Sequence, residues 1–564
     1  MAVYRESEKM KQKKYFIFSL LIFVSVFSNF YLLFMYFWLD SYTILYYVQN
    51  DVGMYFPYQN LTIIPHYLYS LFEIRPLGYN LLALLLYSLV SLLVYRLLLQ
   101  LTKDKMISFA AALVFATGYI GQEALYMFLG DGVASISGLA MLLSSLIFLL
   151  KRKYFLTFLF YFLCLEFAAF RFGGSLIILI GTDLLISYRE KGKRSLLVKR
   201  ILIYSLIFFV EYFVHPTALL FGYPLSTRNV DSSLETMNRL SNLDKFQLSH
   251  ILNSIGTFWN LFFPSSLLQD FYFWLKNNSS FSNMTIFWLM AIPSYLFSLL
   301  TFFVLRNKID IRKYIFILIA FIFLYGSLLL NLDKDIFDKF FIFNGGVFLY
   351  CLILLLIFYS SLKREVMIGF VSAIGILSIF WLTKFDMLLV SHHRYLISAS
   401  FTPPLLCLVF VGKNKKINIY LLIVVGFFVI THLYSGYISQ EKLINNYARH
   451  ALYFFNNIQR YVPDDKNKKI IYLTASDQNS SQILGGITRV GLLSSEAVFA
   501  VHYRQKMEDF VLPESEEEII ALLKENNEYH LEDVYALEYS DEFKIYDKTQ
   551  EVREDIAENI LSTE

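Results

Sequence analysis

Residues Tyr15–Asp40 read YFIFSLLIFVSVFSNFYLLFMYFWLD, an apolar run over 15–37 that closes on Phe37-Trp38-Leu39 and a single acid, Asp40. About 20 such residues cross the hydrocarbon core of a bilayer as a helix. Arg5, Lys9, Lys11, Lys13 and Lys14 precede the run, and basic flanks stay on the cytoplasmic side. Asp40 therefore stands at the far mouth of a first membrane span. The run is too long for the apolar core of a signal peptide, and no small-residue cleavage site follows it, so it reads as a retained anchor.

The rest of the chain repeats this pattern. Of 564 residues, 57% are hydrophobic, 18% aromatic and only 17% charged, against about a quarter charged in soluble globular chains. Spans are expected near 15–37, 80–100, 106–120, 131–150, 154–170, 173–188, 200–219, 284–305, 314–331, 341–361, 366–383, 396–412 and 418–437. Long continuous apolar runs exclude a barrel, whose strands would be short and alternating. Basic clusters recur in every second loop, at Lys103/Lys105, Lys151–Lys153, Arg189–Arg200, Arg306–Lys313, Lys363/Arg364 and Lys413–Lys416. All agree on one topology, with a cytoplasmic N-terminus.

The fold expected is mainly α: a polytopic transmembrane bundle of about thirteen spans over 1–437, with a small α/β extracytoplasmic tail over 438–564. From Gly436 onward, 24 Asp/Glu stand against 13 Lys/Arg, a net −11 in a chain that is +3 as a whole. The tail is acidic and the membrane part basic, which fits the inside-positive bias and carries no nucleic-acid signal. In the tail, Lys469–Leu473, Ala497–Tyr503, Val534–Tyr539 and Phe543–Tyr546 read as strands, and Glu514–Asn526 as a helix. Cys164, Cys351 and Cys407 all fall within spans and read as packing residues.

Two outer loops are long, about 38–79 and about 220–283. The cytoplasmic loops are short and carry no phosphate-cradling glycine motif, so chemistry driven by a cytoplasmic nucleotide is not expected, and a lipid-linked donor is the economical source for any reaction outside. Ionisable groups at a membrane are costly and face a cavity or a partner. Those near the outer ends of spans are Asp40, Glu123, Glu166, Arg171, His392, His393 and Arg394, with Tyr395 beside them, and the first outer loop also carries Asp51 and Arg75. His392 and His393 are adjacent and do not share a helix face, which does not favour a metal.

With its exit acid, its long first outer loop, Arg75-Pro76-Leu77-Gly78-Tyr79-Asn80 entering span two, and Gln122-Glu123-Ala124 after an alanine-rich span, the chain resembles the GT-C superfamily of polytopic glycosyltransferases. Protein O-mannosyltransferases and lipid A aminoarabinose transferases are of this type. The resemblance is clearest over about residues 15–190; Arg394-Tyr395-Leu396 and the tail also match the family layout. It implies a polyprenyl-phosphate sugar donor, a glycan, lipid or protein acceptor, and transfer at the outer face of the plasma membrane. By position, Asp40 is the implied general base. Many relatives carry two adjacent acids there, whereas this chain has Asp40-Ser41, so a divalent metal is possible but not favoured and no other cofactor is expected.

For such a transfer, the acceptor hydroxyl needs a carboxylate to take its proton, and the departing phosphate needs cationic hydrogen-bond donors. Arg171, Arg394 and Arg75 are the candidates for the phosphate. Glu123, Glu166, His392, His393, Tyr395 and Asp51 are the candidates for substrate contact. The expectation is spatial: Asp40, Arg171 and Arg394 line one outer cavity. An O-antigen ligase or polymerase, and a non-enzymatic lipid or solute transporter, remain as rivals.

Overall fold

The computed structural model describes residues 2–50, 63–188, 194–213, 248–308, 310–332, 334–383, 390–412, 417–465, 468–489, 493–526 and 528–563; for Asp40 it describes the backbone alone. The architecture is mainly helical with one small sheet. Among the described residues, five helices are long and apolar enough to cross a membrane: Pro76–Thr102, Val133–Leu150, Asn283–Leu305, Ile336–Phe358 and Ile419–Arg460. Six shorter apolar helices accompany them.

The elements that frame the site lie in the first half of the chain. They are α1 (Ala2–Ser28), α2 (Asp40–Gln49), α3 (Ile63–Phe72), α4 (Pro76–Thr102), α5 (Lys105–Ala116), α6 (Glu123–Tyr126), α7 (Val133–Leu150), α8 (Tyr154–Phe172), α9 (Ser175–Ser187) and α10 (Arg194–Phe213). Neighbouring helices pack directly, α4 on α5 and α7, and α8 on α7 and α10. Starts follow local chemistry. Asp104 caps α5 by accepting from the N–H groups of Met106 (2.8 Å) and Ile107 (2.9 Å), which satisfies donors that have no partner inside the helix.

Several boundaries differ from the sequence reading. The first α-helix stops at Ser28 rather than 37. Buried Asn29 turns its amide back onto the Ser25 carbonyl (3.0 Å) and accepts from Gln122 Nε2 (2.8 Å), so its side chain competes with the helix ladder. The chain then continues as a 3-10 turn over Phe30–Phe34. The run at 284–305 divides at Ala291, just before Pro293. The run at 396–412 breaks into a 3-10 turn (Arg394–Ala399), one short α-helix (Thr402–Cys407) and a 3-10 turn (Leu408–Phe410). Pro403 and Pro404 lack N–H groups and sit in a first helical turn, where none is needed. The helix begun at Ile419 passes residue 437 and reaches Asn457 through a π turn at Ile444–Ala448.

The sheet has order β2-β1-β3-β4, with β1 (Lys469–Ala475), β2 (Phe510–Val511), β3 (Val534–Ser540) and β4 (Lys544–Asp547). β1 runs parallel to β2 and β3, and β3–β4 form the antiparallel hairpin expected around Ser540–Glu542. The helix expected at Glu514–Asn526 is found at Glu516–Glu525. Ala497–Tyr503 corrects the reading: with Glu496 it forms a helix, Glu496–Tyr503, not a strand. A short run buried on all sides has no period that separates helix from strand, and here Ala497–Val501 are all fully buried.

That helix packs on α2 and binds the tail to the first loop. The His502 ring stacks on Phe455 (3.9 Å) and faces Tyr36 (6.0 Å), with its Nε2 3.5 Å from the Tyr42 hydroxyl. Arg504 pairs with Glu73 (3.0 Å), and the Met507 N–H donates to the Tyr46 hydroxyl (3.2 Å). Tyr447 donates to the Phe37 carbonyl. Burial pushes the His502 imidazole down to about 3, so it is neutral when folded and protonates near 6.5 when unfolded. The unfolded chain therefore holds the extra proton below about pH 6.5, and this contribution to stability is lost as pH falls, by up to about 1.4 kcal/mol per pH unit. The tail's protease resistance is expected to weaken from about pH 7 to about pH 5. In His502→Phe, which keeps the stack, that drop should be smaller; an equal drop would mean that other groups carry it.

Candidate functional site

Three pieces of backbone meet at the site: the 117–132 link between α5 and α7, the end of α8, and the segment 390–399. Gly121 locks the first against the third. Its φ of +69° lies in the left-handed region, and a Cβ there would stand 2.4 Å from the Ile397 nitrogen, so only glycine fits. Gly121 N–H donates to the Ser391 carbonyl (3.0 Å) and Glu123 N–H to the His392 carbonyl (2.9 Å). Glu123 Oε2 accepts in return from the Arg394 N–H (2.9 Å). Ser391 exchanges two further bonds with Ser265, N–H to Oγ at 2.7 Å and Oγ from N–H at 2.8 Å.

This stitching presents Tyr395 to two cations. The Arg171 guanidinium carbon lies 3.5 Å from the centre of the Tyr395 ring, and that of Arg394 lies 5.5 Å from it. Arg171 is 4% exposed. It follows a break in α8 at Ala168, whose backbone is non-helical (φ −158°, ψ 64°). Arg394 is half-buried and its Nη1 also contacts Met127 Sδ (3.0 Å). His393 accepts from the Tyr395 N–H (3.2 Å) and packs edge-on to its ring (4.5 Å). His392 Nδ1 meets the Tyr119 hydroxyl at 2.7 Å; burial pushes its imidazole down to about 4, which keeps it neutral at physiological pH.

Glu123, Arg171, His392, His393, Arg394 and Tyr395 thus form one cluster. Glu166 is fully buried, and its carboxyl lies beside that of Glu211 on α10, which is fully buried too. Asp40 is the first residue of α2, which packs on the 128–132 turn that follows α6. Its side chain lies outside the described residues, as does all of Asp51. Leu39, just before it, has φ 47° and ψ −118°, a strained position of the kind found at functional sites. Arg75 is exposed at the start of α4, with its N–H bonded to the Phe72 carbonyl (3.0 Å). Among the described residues, no three His, Cys, Asp or Glu side chains converge as a metal site would.

Sequence reasoning missed Glu211, Tyr119 and His432. Glu211 was the lone acid in an apolar run, which is a usable signal. His432 gave none. Its Nδ1 accepts the Tyr119 N–H (3.0 Å) and its Nε2 faces the Phe262 carbonyl (3.2 Å), so the proton sits on Nε2. Phe428 stacks on the same ring at 3.7 Å. Phe262 and Phe428 also line an apolar cavity of about 190 Å³ with Trp259, Phe297 and Phe348. A chain of contacts thus runs from that cavity through His432 and Tyr119 to His392.

No family model matches the chain, and no curated protein sequence matches it either.

The two cation–ring contacts are worth about 0.5–2 kcal/mol each. Tyr395→Phe should therefore melt near the parent, whereas Tyr395→Leu should lose about 1–3 kcal/mol in thermal unfolding of the detergent-solubilised protein. Equal loss in both variants would shift the weight to the hydroxyl.

Proposed function

We propose that the chain is a membrane glycosyltransferase that moves a sugar from a polyprenyl-phosphate donor to an acceptor hydroxyl at the outer face. The reading includes thirteen crossings and an extracytoplasmic tail. The observation that carries it is the placing of Arg171 and Arg394 over the same Tyr395 ring. Two guanidinium forks offer paired N–H donors that match the oxygens of a phosphate. The apolar cavity reached through Phe262 and Phe428 suits a slender hydrocarbon segment better than a sugar, since it is smaller than the roughly 300–1,000 Å³ of common ligand pockets.

In the reaction, Asp40 takes the proton of the acceptor hydroxyl as its oxygen attacks the anomeric carbon. The bond to the phosphate oxygen breaks, and Arg171 and Arg394 hold the charge that grows there. One displacement inverts the anomeric centre. Glu123 fixes Arg394 through its backbone N–H and so acts as a positioning residue. The strained Leu39 backbone supports giving Asp40 the role of base.

One observation favours a second reading, a proton-coupled carrier of an anionic solute or lipid: the buried Glu166–Glu211 pair. Intramembrane acids of this kind mark proton pathways.

Purified protein with polyprenyl-phosphate sugars separates the two. Asp40→Asn should lower transfer by roughly 10²–10⁴-fold, and Arg394→Gln by roughly 10²-fold, with both variants folded. Full transfer by Asp40→Asn would remove it as base. No transfer by the parent with any donor, together with solute flux in vesicles that Glu211→Gln abolishes, would replace the enzyme by the carrier.

A further inference from the structure

A second cavity, of about 560 Å³, opens where the turn after α1, the start of α4 and the 444–452 stretch of the long helix begun at Ile419 come together. Its walls are apolar: Phe30, Phe34 and Met35 on one side, Leu77 and Leu452 on the others. One charged side chain, Arg449, completes the lining. Phe30, Phe34 and Leu77 are exposed at 46%, 57% and 54%, so large apolar groups stand at the mouth of a pocket with a single cation at its edge. Tyr31 and Tyr437 meet edge-on beside it (5.4 Å). Tyr residues beside exposed Phe form the belt found at a membrane boundary. The volume falls within the range of pockets that hold whole small ligands.

We propose that this cavity binds an anionic membrane lipid, with its phosphate on Arg449 and the upper part of its chains against Phe30, Phe34 and Leu77. The occupant has to be both apolar and anionic. A neutral solute would leave Arg449 unused, and a free anion would leave the apolar wall in water. A phosphate-bearing lipid satisfies both, because the guanidinium supplies charge-assisted hydrogen bonds and the exposed apolar area leaves water. Glu441, the acid on the same helix whose charge acts on Tyr437, is not among the described lining residues. The cavity is separate from the Arg171–Tyr395–Arg394 cluster, and the inference needs the membrane placement of the proposed function but not its chemistry. Asn29, next to Phe30, accepts through its side-chain oxygen from the Gln122 amide (2.8 Å), and Glu123, the neighbour of Gln122, belongs to the cluster.

Native mass spectrometry of the full chain in detergent tests it with three probes: phosphatidylglycerol, phosphatidylcholine and inorganic phosphate. Phosphatidylglycerol should be retained over phosphatidylcholine. Arg449→Gln removes the charge-assisted contact and should weaken phosphatidylglycerol binding about tenfold, and Leu77→Trp, which narrows the mouth, should weaken it independently. Equal retention of both lipids, or parental binding by Leu77→Trp, would overturn the proposal. Displacement of the lipid by inorganic phosphate would also overturn it, in favour of a free-anion site. Loss of sugar transfer with lipid binding intact would count against the proposed reaction and leave this site standing.

Discussion

Burying the guanidinium of Arg171 is the constraint on which the site depends. A charge that is 4% exposed among apolar helices costs several kcal/mol unless its surroundings answer it. The face of Tyr395, 3.5 Å away, is one answer, and it comes from a segment more than two hundred positions later in the chain. The surrounding irregularities serve that meeting. The non-helical Ala168 re-aims the end of α8, and the left-handed Gly121 lets the 119–126 turn lie directly on Ile397. Arg394–Ala399 stays a tight 3-10 turn rather than the start of a regular span. Each departure from regular helix brings a polar group to one place.

The second consequence is that Tyr395 serves two cations. Arg394 reaches the same ring from its own backbone neighbour, while Glu123 holds the Arg394 N–H. Like charges over one ring repel each other, and the repulsion is stronger where water is scarce. An anion that engages both forks relieves it. This is an electrostatic reason for a phosphate, and it stands apart from the resemblance that first suggested one.

Much of this was legible in the sequence because apolar runs and basic loops are strong, redundant signals. Helices were expected where α4, α7, α9 and the Ile336–Phe358 helix occur. Arg171, Arg394, Glu123 and the two histidines were picked out because ionisable groups are rare in such a chain. What could not be read was set by single side chains and distant contacts. Asn29 ends the first helix through bonds to Ser25 and Gln122. The buried Ala497–Val501 run gave no period. The helix begun at Ile419 runs past 437 into a tail that packs back onto the first loop through His502, Tyr36 and Phe455, a contact between segments far apart in the chain. Glu211 stood out as a lone acid in an apolar run, but its partner Glu166, like those of His432, is not revealed by sequence order.

The central claim is that Arg171 and Arg394 form one phosphate site. A cryo-EM structure of the full protein with a polyprenyl phosphate tests it without reference to which sugar is transferred. The account expects the phosphate within hydrogen-bonding distance of both guanidiniums, with the hydrocarbon running towards Phe262 and Phe428. A phosphate bound elsewhere, with Arg171 and Arg394 both turned away from it, would contradict the account.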